Sequence, residues 1–159
     1  YMAMDQFVNQ VAKNRYMFGG QASMPVVFRS AMFYGLNTGA HHSDRPYPMF
    51  MNVPGLKIMV PASPSDAKGL LRMAVDMDDP VLTFEACPLW GMKEEVSEEE
   101  YRIPFGVGRT AREGADVTVV AIASAVPEKA SARPVARTHV SRSPGSRKWA
   151  MSENQTGME

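Results

Sequence analysis

Four short runs of β-branched and aromatic residues, separated by stretches with helical spacing, constrain this chain more than any other feature. They are Pro25-Val26-Val27-Phe28-Arg29, Leu56-Lys57-Ile58-Met59-Val60 between Pro54-Gly55 and Pro61, Pro80-Val81-Leu82-Thr83-Phe84, and Asp116 to Ala123, the last being the most strand-like. Short, nearly continuous apolar runs bounded by proline or a polar stop read as strands buried on both faces. Between them lie helix patterns. Met4, Phe7, Val8, Val11 and Ala12 recur at helical spacing over Met2 to Tyr16, and Gly19-Gly20 supplies the stop. Ser63 or Ser65 can cap a second helix with Pro64 and Asp66 in its first turn; Ala67, Leu70, Leu71, Ala74 and Val75 form its apolar stripe, and Asp78-Asp79-Pro80 ends it. Strands alternating with helices in this way predict an α/β fold, a mostly parallel sheet flanked by helices. In such sheets ligands sit beyond the carboxyl ends of the strands, here the loops starting at Ser30, Ala62 and Glu85.

Charge narrows the function classes. Lys and Arg total 17 against 17 Asp and Glu, so no net field draws in nucleic acid or an anionic membrane surface. No run reaches the roughly 18 consecutive apolar residues of a membrane helix. A single cysteine cannot form an internal disulfide, which points to a reducing, cytoplasmic setting. The balance is uneven along the chain. Residues 127–159 carry six of the basic and three of the acidic residues, leaving eleven and fourteen in residues 1–126. From Ser131 onward the composition is scattered Arg, Ser and Pro with few large apolar residues, which predicts a disordered basic tail or a change of reading frame. The first residue is Tyr1, so the chain reads as starting inside a longer one.

The loop Gly39-Ala40-His41-His42-Ser43-Asp44 is the one concentration of catalytic-type side chains, and it lies between the first two strands. A histidine there suits proton transfer near neutral pH; from pattern alone an exposed polar loop is the simpler reading. Cys87 reads as a small buried hydrophobe, because no histidine or basic neighbour in sequence activates it. Glu94, Glu95, Glu98, Glu99 and Glu100 read as a solvated surface, and neither a GxGxxG nor a phosphate-loop motif occurs.

Several stretches share one resemblance. Asp5-Gln6 through Asn9 to Tyr16-Met17 with Gly19-Gly20, Ala40 with His42-Ser43, Val53-Pro54-Gly55-Leu56-Lys57 running into Asp66-Ala67-Lys68-Gly69-Leu70, and Asp79-Pro80 through Glu85 stand in one order and at one set of separations. Together with Tyr101, Ile103-Pro104, Gly106 and Arg112-Glu113-Gly114, they make residues 2 to about 126 resemble the pyrimidine-binding domain of the beta subunit of thiamine-diphosphate-dependent 2-oxo acid dehydrogenases. That group includes pyruvate, branched-chain 2-oxo acid and acetoin dehydrogenases.

The resemblance implies an oxidoreductase assembled from several subunits. An alpha subunit holds the diphosphate and magnesium, and the beta subunit covers the aminopyrimidine ring. Oxidative decarboxylation of a 2-oxo acid is followed by acyl transfer to the lipoyl arm of an acyltransferase. It also implies a second beta subunit as partner and a cytoplasmic location, or the mitochondrial matrix in a eukaryote. His42 corresponds to the active-site histidine facing the substrate and lipoyl side. Ala74, Met77 and Asp79 match a turn that holds a structural potassium ion in some members. The activating glutamate and the aromatic packed on the pyrimidine fall before Tyr1. Residues 1–126 are then a pyrimidine-binding domain incomplete at both ends, and 127–159 is atypical. Ser30-Ala31-Met32-Phe33-Tyr34 replaces a glycine- and proline-bearing turn, and His41 and Asp44 stand where glutamine is common. A chain that at most binds a partner subunit, without turnover, is the alternative.

Overall fold

A computed structural model describes residues 2–127. Three parallel strands form one sheet in the order β1-β3-β2, where β1 is Val27–Met32, β2 is Lys57–Met59 and β3 is Val81–Ala86. The predicted α/β architecture with a parallel sheet is what the chain adopts. The central strand is the most buried, with Val81, Leu82, Thr83, Phe84 and Ala86 all enclosed.

Alternation along the strands divides the core between the two faces of the sheet. On one, Leu82, Phe84, Ala86 and Met32 pack with Phe28, Ile58 and Phe50, and Met4, Phe7 and Val8 close over them from the first helix. That helix opens as a π-helical stretch, Gln6–Val11, and continues as α1, Ala12–Met17. Gly19 and Gly20 end it with φ of 62° and 82°, and the Gly20 N–H donates to the Arg15 carbonyl at 2.7 Å. The other face carries Val81, Met59 and Val27 against Ala74, Leu70 and Leu71 of α3, Pro64–Val75. A short helix not anticipated from the sequence, α2 at Tyr47–Phe50, places Phe50 in the core.

The start of α3 resolves the choice between its two serines. Ser63 is the cap, its hydroxyl oxygen accepting from the Asp66 N–H at 3.1 Å, whereas Ser65 turns to Glu94. Glu94 accepts from the Ser65 N–H at 3.0 Å and from the Ser65 hydroxyl at 2.8 Å, and these two bonds hold its carboxyl below the usual range. A carboxylate at the positive end of the helix dipole is stabilising there.

The acidic run is therefore more than a solvated surface. Residues 94–105 form a strap along α3. The Tyr101 hydroxyl donates to the Ser65 carbonyl, the Ile103 N–H donates to the Gly69 carbonyl, and Arg72 pairs with Glu100 at 2.7 Å. Gly69 permits this approach, because a β-carbon there would lie 2.6 Å from the Tyr101 ring.

Two expectations need correction. β1 runs to Met32 and β3 to Ala86, so the loops at the strand ends begin after these residues rather than at Ser30 and Glu85. The run Asp116 to Ala123 is not a strand, and Val117 and Val120 stand 70% and 72% exposed. Strand propensity expresses fit to a half-buried sheet, and among the described residues nothing pairs with this run. The domain expectation for 1–126 spans the described region, whereas residues 128–159, with the whole tail expectation beyond Pro127, lie outside it.

Candidate functional site

At the His41-His42 end of the sheet, a cleft of about 430 Å³ opens between β1, the first helix and the histidine loop. Its walls are apolar and strongly aromatic. Phe7, Phe28, Phe50 and Phe84 line it together with Met4 and Leu82. Phe7 meets Phe28 edge-on at 4.8 Å between ring centroids, and Phe50 stacks on Phe84 at 5.7 Å. These four rings come from four separate elements, and no local spacing in the sequence marks them as a group.

The polar side of the cleft is the histidine loop. Gly39, at φ 86°, turns the chain into a single 3-10 turn, Ala40–His42. The His42 N–H donates to the Gly39 carbonyl at 3.1 Å and the Ser43 hydroxyl to the same carbonyl at 2.8 Å. His41 and His42 both line the cleft, their rings 4.1 Å apart and tilted by 48°, and Asp44 joins them. His42, expected in the loop between the first two strands, lines this cleft. His41 and Asp44 of the same loop line it as well.

Arg29 also borders the cleft, but its guanidinium is committed. Nε and Nη2 donate to the two carboxylate oxygens of Glu85 at 2.6 and 3.0 Å, which pushes the Arg29 pKa up. The pairing follows from parallel register, in which Arg29 stands opposite Thr83 and one diagonal step from Glu85. Sequence reading missed it because the partners are 56 residues apart. Thr83 is completely buried, and among the described residues its hydroxyl has no hydrogen-bond partner.

The remaining candidates lie elsewhere. Ala74 is buried in the last turn of α3, its carbonyl accepting from the Met77 N–H at 3.3 Å, and the Asp79 carboxylate pairs with Arg15 at 2.9 Å. None of the three lines the cleft. Cys87 is buried beside β3 as a free thiol. Among the described residues, no group of three or more His, Cys, Asp or Glu side chains stands ready for a metal ion, and no helix is long and apolar enough to cross a membrane.

An apolar cleft with aromatic walls can take up a flat ring and exclude water from it, while imidazoles at the rim can donate, accept or transfer a proton near neutral pH. Comparison with known proteins points the same way. Residues 2–88 match the family described as "Transketolase, pyrimidine binding domain". The chain is 47% identical over 122 residues to the acetoin:2,6-dichlorophenolindophenol oxidoreductase subunit beta of Bacillus subtilis, which covers 77% of this chain and 36% of that one. The protein of the same name from Cupriavidus necator is 45% identical over 75% of this chain and 35% of its own length. The pyruvate dehydrogenase E1 component subunit beta of Staphylococcus epidermidis is 35% identical over 83% and 41%, respectively. The chain thus spans little more than a third of the length of the curated relatives it matches.

Proposed function

The chain belongs to the transketolase pyrimidine-binding domain family, and from that premise we propose that it forms the ring-covering part of a beta subunit in a thiamine-diphosphate-dependent 2-oxo acid dehydrogenase. The observation that carries the reading is the placement of His42 at the rim of an aromatic cleft at one end of a parallel sheet. The lining fits the cofactor's ring, since apolar and aromatic walls suit a flat heterocycle. Bound there, thiamine diphosphate would supply a nucleophilic carbon and an electron sink for loss of carbon dioxide.

This chain's own residues would do the rest. Phe7, Phe28, Phe50 and Phe84 exclude water from the ring, which strengthens every polar interaction inside the cleft. His42 offers a ring nitrogen toward the substrate and the lipoyl side, where a proton must be held or moved during acyl transfer. Arg29, paired with Glu85, ties β1 to β3. Magnesium and the diphosphate are left to an alpha subunit. A second beta subunit and a lipoyl-bearing acyltransferase complete the assembly, in the cytoplasm or in a mitochondrial matrix.

The same reading retains a structural potassium ion at Ala74, Met77 and Asp79. Since Arg15 already engages the Asp79 carboxylate, backbone carbonyls would hold the ion, at the negative end of the α3 dipole. A higher Tm in KCl than in NaCl of equal ionic strength is the expected result, and equal values would remove the ion from the account.

Reconstitution with an alpha subunit tests the main reading. In a full-length beta subunit that carries these residues, release of carbon dioxide from a 2-oxo acid that depends on thiamine diphosphate supports it; assembly without release favours a subunit that only binds its partner.

A further inference from the structure

We infer that Tyr34 is a positioning residue for the histidine turn, acting through Arg45. The turn is joined to the rest of the fold through side chains. Its own backbone bonds, His42 N–H to the Gly39 carbonyl and Ser43 N–H to the Ala40 carbonyl, are local and do not reach the sheet. Three residues past His42, the Arg45 guanidinium sits 4.0 Å above the centroid of the Tyr34 ring. A cation in this position is attracted by the ring's quadrupole as well as by contact.

Tyr34 is itself well anchored. It stands two residues past the end of β1, packs against the cluster formed by Met32, Phe50 and Phe84, and shares a hydrogen bond of 2.5 Å with the Ser124 hydroxyl. Ser124 follows Ala123, which is buried in that same cluster. One ring therefore joins three parts of the chain: the end of the edge strand β1, the histidine turn through Arg45, and the turn at 122–126. The consequence for catalysis rests on the role proposed above for His42, but the tie itself does not.

Backbone ¹⁵N relaxation on the 159-residue chain separates the two questions, because it needs neither cofactor nor alpha subunit. In the unaltered chain, residues 40–45 are expected to show order parameters near the rigid-backbone value of about 0.85. Tyr34→Leu and Arg45→Gln should each drop them below about 0.6, and the double variant should go no lower than either. Tyr34→Phe, which keeps the ring, should leave them near the starting value, while order parameters along β3 stay unchanged in all variants. If Tyr34→Leu fails to fold, Arg45→Gln, at an exposed position, decides alone. A turn that stays rigid without Arg45, or that loosens as much in Tyr34→Phe as in Tyr34→Leu, would overturn the inference.

Discussion

Gly55→Ala is expected to unfold this domain or leave it barely stable. A β-carbon at position 55 would lie 1.9 Å from the Ala12 carbonyl oxygen, a backbone atom that no rotamer change can move. The φ of 92° adds a second penalty, since this region is left-handed and strained for any residue with a side chain. Strain of about 1–2 kcal/mol together with about 1–3 kcal/mol for overpacking is a large share of the roughly 5–15 kcal/mol that holds a typical domain. The contact also joins the first helix to the chain entering β2, so relief would have to separate α1 from the sheet and open the aromatic wall that Phe7 helps build. Denaturant unfolding followed by tryptophan fluorescence checks this; a midpoint unchanged from that of the unaltered chain would show that the close approach is not native.

His42→Ala should act in the opposite manner, sparing the fold and removing chemistry. The side chain is exposed and outside both core clusters, so its loss should change stability by no more than about 0.5 kcal/mol. In a full-length beta subunit assembled with its alpha subunit, reductive acylation of the lipoyl arm should fall about a hundredfold or more, the usual scale for a lost proton-transfer group. Cofactor affinity should stay within about threefold, because the aromatic wall is untouched. Equal losses in acylation and in cofactor affinity would assign His42 to binding instead.

How far the sequence discloses this arrangement depends on how local each signal is. α3 is legible because Ser63, Pro64 and Asp66 mark its start and an apolar stripe follows within a single turn-by-turn pattern. The three strands are legible from their proline-bounded apolar runs. The run Asp116 to Ala123 carries the strongest strand pattern of all and is not a strand, since propensity cannot supply the neighbour that a ladder requires. The histidine loop is visible as a cluster of residue types, but its partner wall is not: Phe7, Phe28, Phe50 and Phe84 converge only through the fold. The same holds for Arg29 with Glu85 and for Tyr34 with Arg45 and Ser124, each fixed by register or by loop path rather than by spacing. By sequence Glu94 reads as one more solvated acid; its role at the start of α3 depends on a chain reversal that no local pattern announces.

The central claim is that the aromatic cleft covers the ring of thiamine diphosphate beside His42. Its most direct test is a calorimetric titration of thiamine diphosphate and magnesium into an alpha subunit, alone and combined with this chain, with Phe28→Asp as the altered cleft. The account predicts that adding the chain tightens binding at least about tenfold, a gain of about 1.4 kcal/mol, and that Phe28→Asp in a chain that still assembles abolishes it. The same affinity with and without the chain, or full retention of the gain in Phe28→Asp, would contradict it.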